Sequence, residues 1–236
     1  MQVCLRRKRT KQGLLFKGSS ARRITSPHMK TCFVGAIFEE LTAVLLSGIR
    51  GTTDGSYDCC PDVCLPQKYT VVESKASCRT CFVVHVDQMD RYRRLHEEHL
   101  TTVLFALWRY APPAVLAVPA APVVPARRNG VLYSDDYTRS VVAGVRDVWV
   151  IGFELMDRLI SAGAPRMYYI RQGEGRVGYY RVGAKCLRPL WDDPLGYAGR
   201  GYVLHQGERA LSAVVDGVQY TTRPFKEVQV VDAIPF

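Results

Sequence analysis

The 236-residue sequence predicts an α/β fold in which helices and strands alternate first and strands dominate later. Three observations predict it. Apolar residues recur at three- and four-residue spacings after Thr31, short extended runs follow, and turn residues punctuate the second half. The apolar fraction of 47% is enough to fill a core at this length, so we expect a globular protein.

The first 30 residues are polar and basic, and we expect a flexible arm over 1–30, with Met29 as an alternative start. The chain carries a formal net charge of +10. Such an excess favours a polyanionic partner, because Lys and Arg side chains that neutralise phosphates release counterions. The arm itself either contacts DNA or only aids solubility.

An amphipathic helix is predicted from Thr31, and Gly48 is its predicted stop. Its apolar positions are Phe33, Val34, Ile37, Phe38, Leu41, Val44, Leu45 and Ile49. A β-hairpin should follow, with strands over 56–63 and 67–76 and a turn near Leu65 and Pro66. In this register Asp58 lies opposite Glu73, and Cys60 lies opposite Val71.

Residues 86–100 place apolar positions, Met89 and Tyr92 among them, against a charged face and predict a second helix. A buried strand should follow over 101–110. Alanine and proline then indicate a linker, which we place at 111–133. Residues 134–236 predict an α+β extension. Its expected elements are a helix start at Ser134, an apolar run at 148–153, a helix ending near Gly163, and hairpins that pair 166–169 with 178–182 and 213–215 with 218–221.

The segment around Glu73 carries the most chemical information. Glu73 and Lys75 are two apart on a predicted strand, so their side chains leave one face, roughly 7 Å apart at the backbone. With Asp58 opposite, two carboxylates suit Mg²⁺, and the lysine can hold or activate a water and offset phosphate charge. The plain alternative is an exposed hairpin with an ordinary charge pair.

Several motifs in 31–110 occur in an ordered series. They are Phe38-Glu39-Glu40-Leu41 on a helix, a Gly-rich approach at 51–55, Asp58 on one strand, Val71-Val72-Glu73-Ser74-Lys75 on the next, and Gln88 near the start of a second helix. This series resembles the PD-(D/E)XK nuclease superfamily. The resemblance implies a restriction-endonuclease-like αβββαβ core over 31–110 and a metal-dependent DNA endonuclease. A restriction-type homodimer is the first expectation, and a Holliday junction resolvase or repair nuclease is the alternative.

The resemblance also implies roles for individual residues. Glu39, Asp58 and Glu73 would serve Mg²⁺, for which Mn²⁺ can substitute, and Lys75 would assist the attacking water. Gln88 would contact nucleic acid.

Two positions in this assignment have alternatives. Glu40 could replace Glu39 on the helix. Asp62, in the literal Pro61-Asp62, or Asp54 could replace Asp58, although Asp62 would require a different hairpin register.

Arginines and tyrosines interleave over 166–181, and Arg171, Arg176 and Arg181 are candidate nucleic-acid-binding residues. Alternatively, the tyrosines pack inward and the arginines are merely solvated. The β-rich half would be the natural place for target recognition.

Five cysteines lie close together in the sequence: Cys59, Cys60, Cys64, Cys78 and Cys81. Their spacing suggests a four-cysteine zinc site. In the predicted hairpin, however, Cys78 would lie about 20 Å along the ladder from Cys60, so zinc is not favoured over disulfides or free buried thiols. A non-catalytic, zinc-stabilised nucleic-acid-binding protein is the rival function.

No membrane span is expected, because the apolar stretch 100–124 is interrupted by Arg109 and four prolines. The basic start lacks an apolar segment typical of a secretory signal, so we expect a cytoplasmic protein. The chain has 24 arginines, 8 lysines and a single asparagine, which suits a thermophilic or GC-rich source.

Overall fold

The computed structural model describes residues 27–51, 61–65, 69–99, 101–112, 126–128, 131–133, 135–171, 175–199, 201–215 and 217–231. Its helices are α1 (Pro27–Leu46), α2 (Val86–Glu98), α3 (Asp135–Ala143), α4 (Phe153–Ser161), α5 (Ala184–Leu187), α6 (Pro189–Asp192) and α7 (Pro194–Ala198). Its strands are β1 (Ile49–Arg50), β2 (Val63–Leu65), β3 (Thr70–Ser77), β4 (Cys81–His85), β5 (Thr102–Tyr110), β6 (Ala126–Arg128), β7 (Val131–Tyr133), β8 (Val145–Gly152), β9 (Arg166–Arg171), β10 (Gly175–Gly183), β11 (Tyr202–Arg209), β12 (Ser212–Val215), β13 (Val218–Thr221) and β14 (Phe225–Val231).

The main sheet is mixed, which agrees with the predicted α/β class. In the described residues its strand order is β1-β2-β3-β5-β8-β14-β11. The first three strands are antiparallel, whereas β3 and β5 run parallel and are joined through β4 and α2. Strands β8, β14 and β11, from the predicted extension, complete this same sheet, so the two halves of the chain share one sheet.

Each face of the main sheet has its own apolar core. Helix α1 covers one face, where Phe38 stacks near Trp108 with ring centroids 5.5 Å apart. Helices α2 and α4 cover the other, which contains Phe105 and Trp149. From Val34 onward the predicted apolar positions of α1 are buried except at Val44, which is 40% exposed, while Ile49 has left the helix for β1. The side chain of Phe33 lies outside the described part of the structure.

Helix α1 begins at Pro27, four residues before the predicted start at Thr31, so the end of the predicted arm is helical. Proline suits a first helical turn, because its missing N–H would have no partner there and its φ is already helical. The rest of the predicted arm, 1–26, lies outside the described residues.

The predicted hairpin register is wrong. Cys64 of β2 lies opposite Val71 of β3, where Cys60 was expected, so the ladder is shifted by four residues. Continued by one step beyond Val63, this register puts Asp62 opposite Glu73. The shift arises because β2 continues to Leu65, which was assigned to the turn. Tyr69, with φ of 45°, now precedes β3.

The second half confirms both predicted hairpins, β9–β10 and β12–β13, and the helix ending before Gly163, where φ is 121°. Strands β4, β11 and β14 were not predicted. The predicted linker 111–133 contains β6 and β7, while 113–125 lie outside the described residues. Within the described ranges, none of the helices combines the length and the apolar character needed to cross a membrane.

The end of α1 differs from the predicted glycine stop. The left-handed position is Ser47, with φ of 54°, and the N–H of Gly48 donates to Ala43 O over 2.8 Å. Gly48 is required for a different reason, which is close packing. A Cβ there would lie 2.6 Å from side-chain atoms of Leu65 and Val63.

We therefore expect Gly48→Ala to lower the free energy of unfolding by about 1–3 kcal/mol, because β2 must shift to admit the methyl group. Gly35→Ala is the matched control, since a Cβ at Gly35 meets nothing within 4 Å and Gly35 lies inside α1. It should stabilise the protein by about 0.5–1 kcal/mol. Urea denaturation measures the free energy of unfolding of both variants. Equal effects of Gly48→Ala and Gly35→Ala would contradict the close packing of Gly48 against β2.

Candidate active site

Glu73 is the centre of a buried polar cluster on the α2 face of the main sheet. It is only 4% exposed, although it is a carboxylate in the middle of β3. Three side chains donate hydrogen bonds to it. Lys75 and Gln88 donate to Oε1, the latter over 2.9 Å, and the Tyr92 hydroxyl donates to Oε2. These donors replace the water that a buried carboxylate loses.

Asp62 lies at the start of β2 and joins this cluster. Its Oδ2 accepts a hydrogen bond from the backbone N–H of Ser74 over 2.7 Å. Burial and the neighbouring Glu73 carboxylate raise the pKa of Asp62 from 3.8 to about 7. The Glu39 carboxylate contributes to this rise, whereas the Lys75 cation opposes it. Asp62 is therefore partly protonated near neutral pH.

Lys75 remains a cation. Burial alone would lower its pKa, but the Glu73 and Asp62 carboxylates outweigh burial and raise it above the usual 10.5. Lys75 can therefore donate hydrogen bonds and offset negative charge, but it cannot accept a proton near neutral pH.

Helix α1 contributes Glu39 to the charge of the cluster. Arg50 of β1 donates to Glu39 Oε2 from Nε over 2.9 Å and from Nη2 over 2.7 Å, whereas Glu40 lies 3.9 Å from the same guanidinium. The Glu39 charge acts on both Asp62 and Lys75. Of the two candidate glutamates, Glu39 is thus the one that affects the site.

Helix α1 is also tied to the strand that carries Glu73. Thr42 Oγ1 lies 3.0 Å from Ser74 Oγ and accepts a hydrogen bond from Trp108 Nε1 over 2.8 Å. Both contacts lie at the centre of the sheet, so the position of α1 relative to β3 is fixed by polar contacts as well as by packing.

Tyr92 is a site residue that the sequence analysis assigned to the apolar face of α2. Burial and Glu73 raise its pKa, so it stays a neutral donor. Gln88 donates to Glu73 and accepts from the backbone N–H of His85 over 3.3 Å, while its predicted contact with nucleic acid stays a prediction. Gln88 and Tyr92 are four residues apart on one helix face, and this spacing in the sequence could have indicated that both side chains reach the same group.

The structure describes only some of the remaining predicted site residues. Asp58 and Asp54 lie in 52–60, outside the described residues, and so does the side chain of Arg171. Arg176 and Arg181 are exposed on β10.

The chemistry of the cluster fits a divalent cation in part. Carboxylate oxygens are the ligands that Mg²⁺ prefers, and burial together with the Glu73 carboxylate raises the pKa of Asp62. However, among the described residues no three acidic, His or Cys side chains converge closely enough to hold a metal ion. Glu73 would have to exchange some of its donors for the ion.

Cysteines supply no zinc site in the described part of the chain. Cys64, Cys78 and Cys81 are free thiols, but Cys78 is exposed, which contradicts the expectation that it is buried. Cys81 Sγ lies 3.2 Å from the Arg181 guanidinium. Cys59 and Cys60 lie outside the described residues.

No family model matches the chain, and neither a curated protein nor a solved structure shows significant similarity to it. What the cluster can do therefore follows from its own residues.

The pKa of Asp62 predicts a pH-dependent stability in the absence of metal. The folded state holds its proton up to about pH 7, whereas the unfolded state loses it near 3.8. The free energy of unfolding should therefore fall by about 2–4 kcal/mol between these pH values, and Asp62→Asn should abolish that part of the slope. Urea titrations in chelator at several pH values measure the free energy of unfolding of the wild type and of Asp62→Asn. If the two proteins show the same dependence on pH, the raised pKa does not belong to Asp62.

Proposed function

We propose that this protein is a metal-dependent nuclease that hydrolyses phosphodiester bonds in DNA. The observation that carries the proposal is the cluster itself. Asp62, which immediately precedes β2, accepts a hydrogen bond from the residue after Glu73 on β3, Lys75 bonds Glu73, and the Glu39 charge acts on Asp62 from α1. This combination matches the motif that the PD-(D/E)XK resemblance requires, with Asp62 of the literal Pro61-Asp62 in the place expected for Asp58.

The order of elements supports the same proposal. Helix α1, the antiparallel strands β1, β2 and β3, helix α2 and the parallel strand β5 follow one another in the described residues. This is an αβββαβ series, with β4 added before α2. The overall charge of +10 supports a polyanionic substrate.

In this proposal Asp62, Glu73 and Glu39 would hold Mg²⁺ or Mn²⁺. A bound divalent cation neutralises charge on the phosphate and lowers the pKa of a bound water. Lys75, which stays protonated, would donate a hydrogen bond to the attacking water or to a phosphate oxygen and stabilise the charge that develops there. Gln88 and Tyr92 would orient the Glu73 carboxylate by holding its two oxygens.

One observation favours a second candidate function, a nucleic-acid-binding protein without catalysis. Both oxygens of Glu73 already accept hydrogen bonds, and the described acidic groups do not converge to metal-binding distance. In that case the cluster would only fix α2 against β3. The zinc-stabilised form of this candidate would need cysteines beyond those in the described residues.

Purified protein incubated with supercoiled DNA and with four-way junctions should cut in Mg²⁺ and not in chelator. Lys75→Ala and Glu73→Gln should each lower the cleavage rate about a hundredfold or more, because each removes a charge that acts in the transition state. Lys226→Ala, at an exposed lysine on β14, is the control and should cut normally.

Circular dichroism must first show that the variants are folded. Metal-dependent cutting that survives Lys75→Ala would exclude the proposed role of Lys75, and binding without cutting under all conditions would favour the second candidate. Discrete fragments would assign a restriction-type enzyme, for which we expect a homodimer. Selective cutting of junctions would assign a resolvase.

A further inference from the structure

A small antiparallel sheet, in the order β4-β10-β9, lies beside the candidate active site. Strand β4 leads directly into α2, the helix that bears Gln88 and Tyr92. The pairing of β4 with β10 ends at His85 opposite Tyr179, whereas β10 and β9 continue to pair from there to Gly175 and Arg171. Residues 168–171 and 175–178 therefore form a two-stranded ribbon that extends past the start of α2.

The ribbon and its base expose aromatic and apolar side chains. Tyr168 is 41% exposed and Tyr169 is 39% exposed, and Met167 and Val83 are similarly exposed. The two tyrosines belong to β9, the edge strand, and project to opposite faces. Exposed apolar groups that cluster in this way mark a surface that binds a partner.

On one face, Tyr169 lies in a cluster of rings. Its centroid is 6.0 Å from that of His85 and 5.8 Å from that of Tyr179. On the other face, the Arg176 guanidinium lies 3.7 Å from the centroid of Tyr168, with Arg166 at 5.4 Å. Each tyrosine is thus held in place by neighbours while part of its ring remains open to solvent.

The charge of this sheet identifies the class of partner. Strands β4, β9 and β10 contain four arginines, Arg166, Arg171, Arg176 and Arg181, and no Asp or Glu. A second copy of the chain that presented this same sheet would bring four more arginines to the contact and be repelled. A polyanion is attracted instead.

We propose that the β9 edge of this sheet binds an unpaired, single-stranded segment of nucleic acid, with Tyr168 and Tyr169 stacking on bases and Arg176 contacting phosphate. Unpaired bases expose flat apolar faces that stack on aromatic rings, whereas a duplex hides those faces between its base pairs. A single strand of nucleic acid that runs along the β9 edge can contact both tyrosines, although their side chains project to opposite faces of the sheet.

This inference refines the proposed function and rests on it only for the cleavage step. A ribbon that binds unpaired bases next to the catalytic cluster suits a substrate with a single-stranded region, such as a flap or a junction. It therefore favours the repair or junction-resolving enzyme over the restriction-type enzyme.

Fluorescence anisotropy in chelator tests the binding without requiring catalysis. Labelled oligothymidylate should bind the wild-type chain more tightly than a blunt duplex of equal length. The double variant Tyr168→Ala/Tyr169→Ala should weaken oligothymidylate binding about tenfold or more, because stacking on two rings is lost. Tyr202→Ala is the matched control, since Tyr202 is a 54% exposed tyrosine on β11, the far edge strand of the main sheet.

Two further variants separate stacking from charge. Tyr168→Phe/Tyr169→Phe keeps the rings and should retain wild-type affinity. Arg176→Gln should reduce the slope of log affinity against log salt by about one, as expected for one lost phosphate contact.

The proposal is overturned if the double alanine variant, still folded by circular dichroism, binds oligothymidylate as the wild type does, or if the duplex binds at least as tightly. It is also overturned if gel filtration shows that the double variant loses self-association and not nucleic-acid binding. Failure of Mg²⁺-dependent cleavage would remove the proposed nuclease and leave this result unaffected. Loss of the binding effect with intact cleavage would remove only this proposal.

Discussion

The arrangement of the site depends on one buried charge, the carboxylate of Glu73. A carboxylate at 4% exposure is stable only with strong donors around it, and its three donors come from two elements of the chain. Lys75 follows it on β3, while Gln88 and Tyr92 reach it from α2. Glu73 therefore links the strand to the crossover helix. Burial raises the pKa of Asp62, which precedes β2, and the Glu73 charge adds to that rise; the same charge helps raise the pKa of Lys75 against burial.

The chemistry that this network supports follows from an imbalance of charge. Lys75 and Arg50 face three acidic groups, Glu39, Asp62 and Glu73, and the pKa of Asp62 is raised by burial first and by the neighbouring carboxylates second. A divalent cation would relieve that repulsion, whereas a purely structural network would leave Asp62 protonated. The same residues could therefore belong to the proposed nuclease or to a non-catalytic binding protein. The difference between the two is whether Glu73 releases a hydrogen-bond donor and binds a metal ion.

Local patterns predicted much of this fold. Helix spacing identified α1 and α2, the extended run 67–76 identified the strand of Glu73, and the runs 213–215 and 218–221 identified a hairpin. Pairings between distant segments were not predictable, because nothing in β11 or β14 indicates that they extend the sheet begun by β1. The register at Asp62 was missed since Leu65 and Pro66 resemble a turn while Leu65 still belongs to β2. Tyr92 was missed because a tyrosine at a helical core position resembles an ordinary apolar residue.

The most direct test of a metal site at the Glu73 cluster is a crystal structure of the full chain soaked with Mn²⁺. The anomalous scattering of Mn²⁺ locates the ion. We predict one peak bound by Asp62 and Glu73, with Lys75 close by and at least one donor of Glu73 displaced. A peak elsewhere, or none at saturating Mn²⁺ with Glu73 still bonded to Gln88 and Tyr92, would contradict the account and leave the cluster as a structural element.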